Sequence, residues 1–265
     1  MGKKETLEQY ETYRGPLCHK DFPLILFWSE KAGCTNLTKW FFFQTGLMDE
    51  ALKQQSIHVY RSEIFQKKKN YYSYINKQLL HSKKDAVKLI RNPFKRAVSS
   101  FLTISYYCFT THPPNGMYAD WERISQLYYQ GQSPYKGITF KQFLHYLEKT
   151  GTELNNVDRH IAQQYIEGEE ELISRYIKLE NIIKDIEDLE NKYGLPHSPH
   201  SVYAQKNDHD FKDSMINQGV FADEIITFDM ILNKSLPKFE GFYDQEAVDL
   251  CKEIFKKDFE IYEKY

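Results

Sequence analysis

The chain alternates short continuous apolar runs with stretches whose apolar residues recur at helical spacing. The clearest run is FPLILFW at residues 22–28. Its unbroken apolar character, closed by Ser29-Glu30-Lys31, predicts a strand buried on both faces. Behind it, residues 35–52 place Leu37, Trp40, Phe41, Leu47, Met48 and Leu52 on one side of a predicted helix. A second stretch at residues 86–90, apolar apart from Lys88, predicts another strand. Arg91-Asn92-Pro93 closes it, and a proline at a first helical position opens a helix through about residue 108. Residues 174–181, SRYIKLEN, predict a strand that feeds a helix over 182–193.

The remaining segments are plainer. Helices are predicted over 71–80, 118–129, 139–150 and 157–167, with an amphipathic terminal helix over 244–262. Residues 56–60 predict a short strand. The proline-bearing stretches at 111–116 and 194–201 predict loops. Residues 207–240 show no clear period and read as mobile surface. Strands alternating with helices predict a single α/β domain over residues 1–265, with a central, mainly parallel sheet flanked by helices. Residues 1–20 read as an N-terminal extension to a core beginning near residue 21.

Composition narrows the function classes. Hydrophobic residues make up 41% and aromatic residues 15% of the chain, enough for a sizeable core. The formal net charge of −2 excludes bulk binding to nucleic acid or to an anionic membrane, so any basic site is local. No stretch approaches the ~18 consecutive apolar residues of a membrane span, and no apolar core follows the basic N-terminal residues. The four cysteines, Cys18, Cys34, Cys108 and Cys251, lie far apart with no CxxC pair. That spacing argues against a zinc site or a disulfide framework and for a reduced, cytoplasmic protein.

Two strand-to-helix junctions carry candidate chemistry. A helix N-terminus offers unpaired N–H groups and the positive end of its dipole, which together bind anions. In the first junction Gly33 lets the backbone approach a ligand, Thr35 and Asn36 add side-chain donors, and Lys31 supplies a point charge. Lys31 precedes Gly33, so the kinase and GTPase pattern G-x-x-x-x-G-K-[ST] is absent. An ordinary turn with a surface lysine is the plainer alternative. In the second junction Arg91 provides bidentate donors suited to a phosphate and Ser99 a hydroxyl two turns into the helix. A helix cap with Arg91 in a salt bridge is its alternative. Two anion sites in one α/β domain suggest a ligand with two separated phosphates.

These residues also carry a resemblance. Lys31-Ala32-Gly33-Cys34-Thr35-Asn36-Leu37 resembles the 5′-phosphosulfate loop of sulfotransferases of the carbohydrate group. The run from Arg91 through Pro93 to Ser99 resembles that family's 3′-phosphate motif. DRHIAQQ at 158–164 is similar to its His-x-x-x-Gln segment, with Gln163 where a proline is often found. YIKLENIIKDIEDL at 176–189 and the terminal helix extend the similarity from about residue 22 to residue 265, least over 201–240.

The resemblance implies a P-loop-like fold and 3′-phosphoadenosine 5′-phosphosulfate as sulfate donor, with no metal. Lys31, Ala32, Gly33, Cys34, Thr35, Asn36 and Leu37 would wrap the phosphosulfate, and Arg91 and Ser99 would hold the 3′-phosphate. The acceptor would be a hydroxyl, on a carbohydrate or glycolipid. Lys31 would act on the leaving phosphate. A histidine is the default acceptor base. His58 stands first because related glycan sulfotransferases carry a catalytic histidine in that interval; a strand-end histidine bonded to backbone is the alternative. His160 stands second, and Glu180 third, with a buried structural hydrogen bond preferred for the glutamate. His81, His112, His197, His200 and His209 read as surface. Residues 71–74 and 106–109 could stack on a sugar or adenine, although core packing is the commoner use, and Lys67–Lys69 reads as a solvated face. Two rival functions remain: a P-loop nucleotide phosphotransferase, and a non-catalytic protein that binds the nucleotide. Eukaryotic members of the group it resembles are usually Golgi-anchored, so the lack of a membrane segment in the sequence suggests a cytoplasmic, bacterial-type enzyme, or a Golgi-lumen one if an anchor accompanies the chain.

Overall fold

The computed structural model describes residues 2–81, 84–108, 115–130, 137–203 and 215–265. The chain divides into two compact units. The first comprises Met1–Arg91, Gln164–Asn207 and Tyr265, and the second Asn92–Gln163 and Asp208–Lys264.

The first unit is built on a four-stranded sheet in the order β1-β2-β3-β4. Strand β1, Leu17–Cys18, runs antiparallel to β2, Leu24–Phe27. β2, β3 (Asp85–Ile90) and β4 (Arg175–Lys178) are parallel, with Leu26 opposite Val87 and Leu89 opposite Ile177. Every residue of β2 is buried, as its continuous apolar run required. The helix Cys34–Gln44 buries Leu37, Trp40 and Phe41. Phe22 packs edge-on to the last two, with ring centroids 5.6 and 5.3 Å apart. The helices Tyr71–Leu80 and Ile182–Tyr193 also belong to this unit. The architecture is α/β with a mainly parallel sheet flanked by helices.

The second unit is helical around an aromatic core. Phe101, Phe140, Phe143 and Phe242 meet there, with Phe140 5.4 Å from Phe101 and 5.7 Å from Phe242. Thr139 caps the helix Phe140–Thr150 by a reciprocal capping box with Gln142.

Several predicted elements take other forms. The helix expected over 35–52 stops at Gln44, because Gly46 takes a left-handed conformation (φ 69°), and Leu52 is exposed. The strand expected over 56–60 is helical: Ser56 accepts the Val59 N–H, and Ile57, Tyr60 and Phe65 turn inward at helical spacing. No helix forms over 157–167. There the Asp158 side chain takes the His160 N–H and closes a turn before an α-helix can propagate. The terminal helix is two, Gln245–Ile254 and Lys256–Lys264. The helix expected at 118 begins three residues earlier, as Asn115–Tyr129, inside the expected loop; the loop's other residues, 111–114, lie outside the described residues. The supposed extension forms a helix, Lys3–Tyr13, and β1. Within the stretch read as surface, Ala222, Ile226 and Leu236 are core residues; residues 207–214 lie outside the described residues.

Candidate active site

The chain leaves β2 through buried Trp28, Ser29 and Glu30, turns over residues 30–33, and enters the helix Cys34–Gln44. Two residues of the turn are left-handed: Lys31 at φ 63° and Gly33 at φ 90°. For a lysine that conformation costs roughly 1–2 kcal/mol, so its surroundings must hold it. They do so on both sides. Glu30 Oε2 takes Arg14 Nε at 2.9 Å, and Arg91 Nη1 donates to the Lys31 carbonyl at 2.9 Å. Gly33 is required for a second reason: a Cβ there would lie 2.6 Å from Leu179 Cδ1 and 3.2 Å from Leu89 Cδ2.

Downstream, the N–H of Leu37 bonds the Gly33 carbonyl at 3.1 Å and closes the first helical turn. Leu37 and Ala32 are fully buried, so neither side chain faces a ligand. The Leu37 amide, expected among the anion donors, is committed to the helix. Thr35 and Asn36 are half-buried at the helix start, where N–H groups lack intrahelical acceptors and suit an anion.

The second junction meets the first through Arg91. Its backbone is gripped by the Gln164 side chain, whose Oε1 accepts the Arg91 N–H at 3.0 Å. Gln164 Nε2 donates to the Arg91 carbonyl at 2.9 Å. Beneath this grip lies a buried ionic network. Lys88 of β3 donates to Glu169 and to the Gln164 carbonyl, and Glu169 also accepts from the Tyr10 and Tyr176 hydroxyls. Burial, with Glu169 adjacent, raises the pKa of both tyrosines well above the usual phenol range. They therefore remain donors to the carboxylate at neutral pH.

Sequence reasoning missed Arg14, Glu30, Lys88 and Glu169. Arg14 stands in the supposed extension, and a lysine inside an apolar strand has no partner visible along the chain.

His58 sits in the helical turn Ile57–Val59, with Nε2 2.9 Å from Thr35 Oγ1. The structure thus brings His58 to the helix that follows Lys31. Because a hydroxyl can donate or accept, this contact leaves the imidazole tautomer open.

Ser99 and His160 belong to the second unit. Asn92 caps the helix Pro93–Cys108 there, its Oδ1 accepting the Lys95 N–H at 3.2 Å. Ser99 is half-buried, and its carbonyl accepts from Thr103 Oγ1. His160 has a defined orientation: Nδ1 lies 2.7 Å from Asp158 Oδ1, and its carbonyl accepts from Ser100 Oγ. Burial acts to raise the Asp158 carboxyl, but the hydrogen bond and charge of His160 outweigh it and leave the pKa lowered. An ionised carboxylate only accepts, so Nδ1 carries a proton, and whenever the ring is neutral Nε2 is its acceptor. Asp120, buried under Tyr146 and Arg123, takes the Asp158 N–H at 2.6 Å.

The remaining described candidates occupy exposed or core positions. Glu180 is exposed in a single 3₁₀ turn, not buried as expected, because β4 ends one turn before it. Tyr71 is a core residue whose hydroxyl joins the Cys18 N–H to the Pro16 carbonyl. His81, His197, His200 and residues 67–69 are exposed; His112 and His209 lie outside the described residues. Among the described residues no helix is long and apolar enough to cross a membrane.

A mainly parallel sheet whose second strand ends in a glycine-bearing turn and a helix N-terminus, with Arg91 bonded to the Lys31 carbonyl beside it, is an α/β arrangement whose chemistry suits an anion. The chain belongs to the sulfotransferase family, whose model matches residues 19–265. Its reaction class is therefore sulfuryl transfer. Comparison with curated proteins and with solved structures gave no match.

Proposed function

We propose that this sulfotransferase takes its sulfuryl group from 3′-phosphoadenosine 5′-phosphosulfate and delivers it to a hydroxyl on a carbohydrate or glycolipid. The observation that carries the donor reading is the bond from Arg91 to the Lys31 carbonyl, which brings the arginine that follows β3 to the turn that follows β2. Sulfuryl transfer asks for an aligned acceptor oxygen, sulfur and leaving oxygen, and for charge stabilisation on the leaving phosphate. Lys31 meets the bridging oxygen as it turns negative. The helix-start amides and the Thr35 and Asn36 side chains share that charge, and Arg91 with Ser99 takes the 3′-phosphate. His58, held at Thr35, removes the acceptor proton; His160, with its tautomer set by Asp158, is the second candidate for that step. The acceptor class rests on the likeness to carbohydrate sulfotransferases alone.

Binding tests the donor. At about 100 times its dissociation constant, 3′-phosphoadenosine 5′-phosphate should stabilise the fold by ~2.7 kcal/mol. Equal thermal shifts with ATP at matched concentration would remove the case for a 3′-phosphate pocket. A ³⁵S-donor assay over glycans, lipids and small alcohols then reads the acceptor.

A further inference from the structure

We propose that Arg14 is a positioning residue for donor binding, setting Lys31 and Arg91 together through one buried guanidinium; this rests on the donor reading above. Arg14 has no solvent exposure. Its Nε lies 2.9 Å from Glu30 Oε2, and its Nη1 donates to the Gln164 carbonyl at 3.3 Å. Each partner adjoins a basic group of the site. Glu30 directly precedes Lys31, and Gln164 grips both backbone polar groups of Arg91. Arg91 closes the circuit by holding the Lys31 carbonyl.

The left-handed backbone of Lys31 is a state that persists only where its surroundings over-determine it, and Arg14 anchors it from the Glu30 side. A guanidinium suits this task because its fixed fork reaches two acceptors at once, which a lysine ammonium does less well. Arg14 itself is tied down: its N–H closes the helix Lys3–Tyr13 on the Tyr10 carbonyl, and the Tyr10 hydroxyl donates to Glu169. This N-terminal segment precedes the span matched by the family, residues 19–265, yet it supports the donor site.

The test uses the full chain, calorimetric titration with 3′-phosphoadenosine 5′-phosphate, and thermal melts on the same samples. Arg14→Ala leaves Glu30 buried and unpaired, and destabilises whatever the role of the pair. The decisive variant is Arg14→Met/Glu30→Leu, which replaces the pair by apolar groups of similar size. It should melt near wild type and still bind the nucleotide about tenfold to 10²-fold more weakly, the effect of a loosened binding group. Wild-type melting together with wild-type affinity would overturn the proposal. If the double variant melts far below wild type, Arg14→Lys decides, since it keeps the charge beside Glu30 but loses the fork. Weaker binding with near-native melting supports a positioning role, and unchanged binding overturns it. Failure of the wild-type chain to bind the nucleotide is read first, and that result sinks the donor reading itself.

Discussion

Replacing Gly33 by alanine puts two separable strains on the first junction. The backbone there has φ 90°, a left-handed conformation that for alanine costs roughly 1–2 kcal/mol. The new methyl would also lie 2.6 Å from Leu179 Cδ1 and 3.2 Å from Leu89 Cδ2. Overpacking of that kind typically adds about 1–3 kcal/mol, so the total is ~2–5 kcal/mol. Gly46 supplies the control. Its φ is 69°, but a methyl there meets no atom within 4 Å, so Gly46→Ala should cost only the conformational ~1–2 kcal/mol. At about 2–4 °C per kcal/mol, Gly33→Ala should lower the melting temperature by roughly 4–20 °C and Gly46→Ala by roughly 2–8 °C. Urea titrations and melts of both variants read the difference. Adding Leu179→Ala to Gly33→Ala removes the nearer contact, so the pair should be less destabilised than the sum of its parts, by about 0.5–3 kcal/mol. A Gly33→Ala variant no less stable than Gly46→Ala would refute the packing argument for this turn.

Two further outcomes concern the chemistry and its supports. Lys31→Ala should depress kcat more than it weakens binding of the product nucleotide, while His58→Ala should lower turnover by about 10²–10⁴ with binding near wild type. Loss of turnover in His160→Ala, with none in His58→Ala, would move the base to His160. Asp158 sets a pH dependence of stability. Its folded pKa is lowered, against burial, chiefly by the His160 hydrogen bond, so its contribution is full above the unfolded value of about 3.9 and is lost as pH falls through the lower folded value. Urea midpoints measured from neutral pH downward should show wild type losing more stability below about pH 4 than Asp158→Ala; parallel curves would contradict this.

The fold class and the two junctions were legible in the sequence because each rests on local chemistry. An unbroken apolar run such as residues 24–27 leaves no solvent face, so it must be an inner strand. Asn92-Pro93 suits a helix start whatever packs around it. Lys31 before Gly33 counted against the kinase loop without coordinates, and the family match bears out the sulfotransferase reading.

What only the tertiary structure decided depends on groups far apart in the chain. Residues 56–60 alternate well enough for a strand, yet Ser56 as a cap and the inward turn of Tyr60 and Phe65 make them helical. Residues 157–167 have helical spacing, but the Asp158 side chain takes the His160 backbone N–H and closes a turn there instead. The same holds for the site. The left-handed Lys31 rests on pairings across 16 to 150 positions of sequence: Arg14 with Glu30 and with Gln164, Gln164 with Arg91, and Arg91 with the Lys31 carbonyl. A buried charge is tolerated only where its partner meets it, and no reading of one segment shows which distant residue that will be.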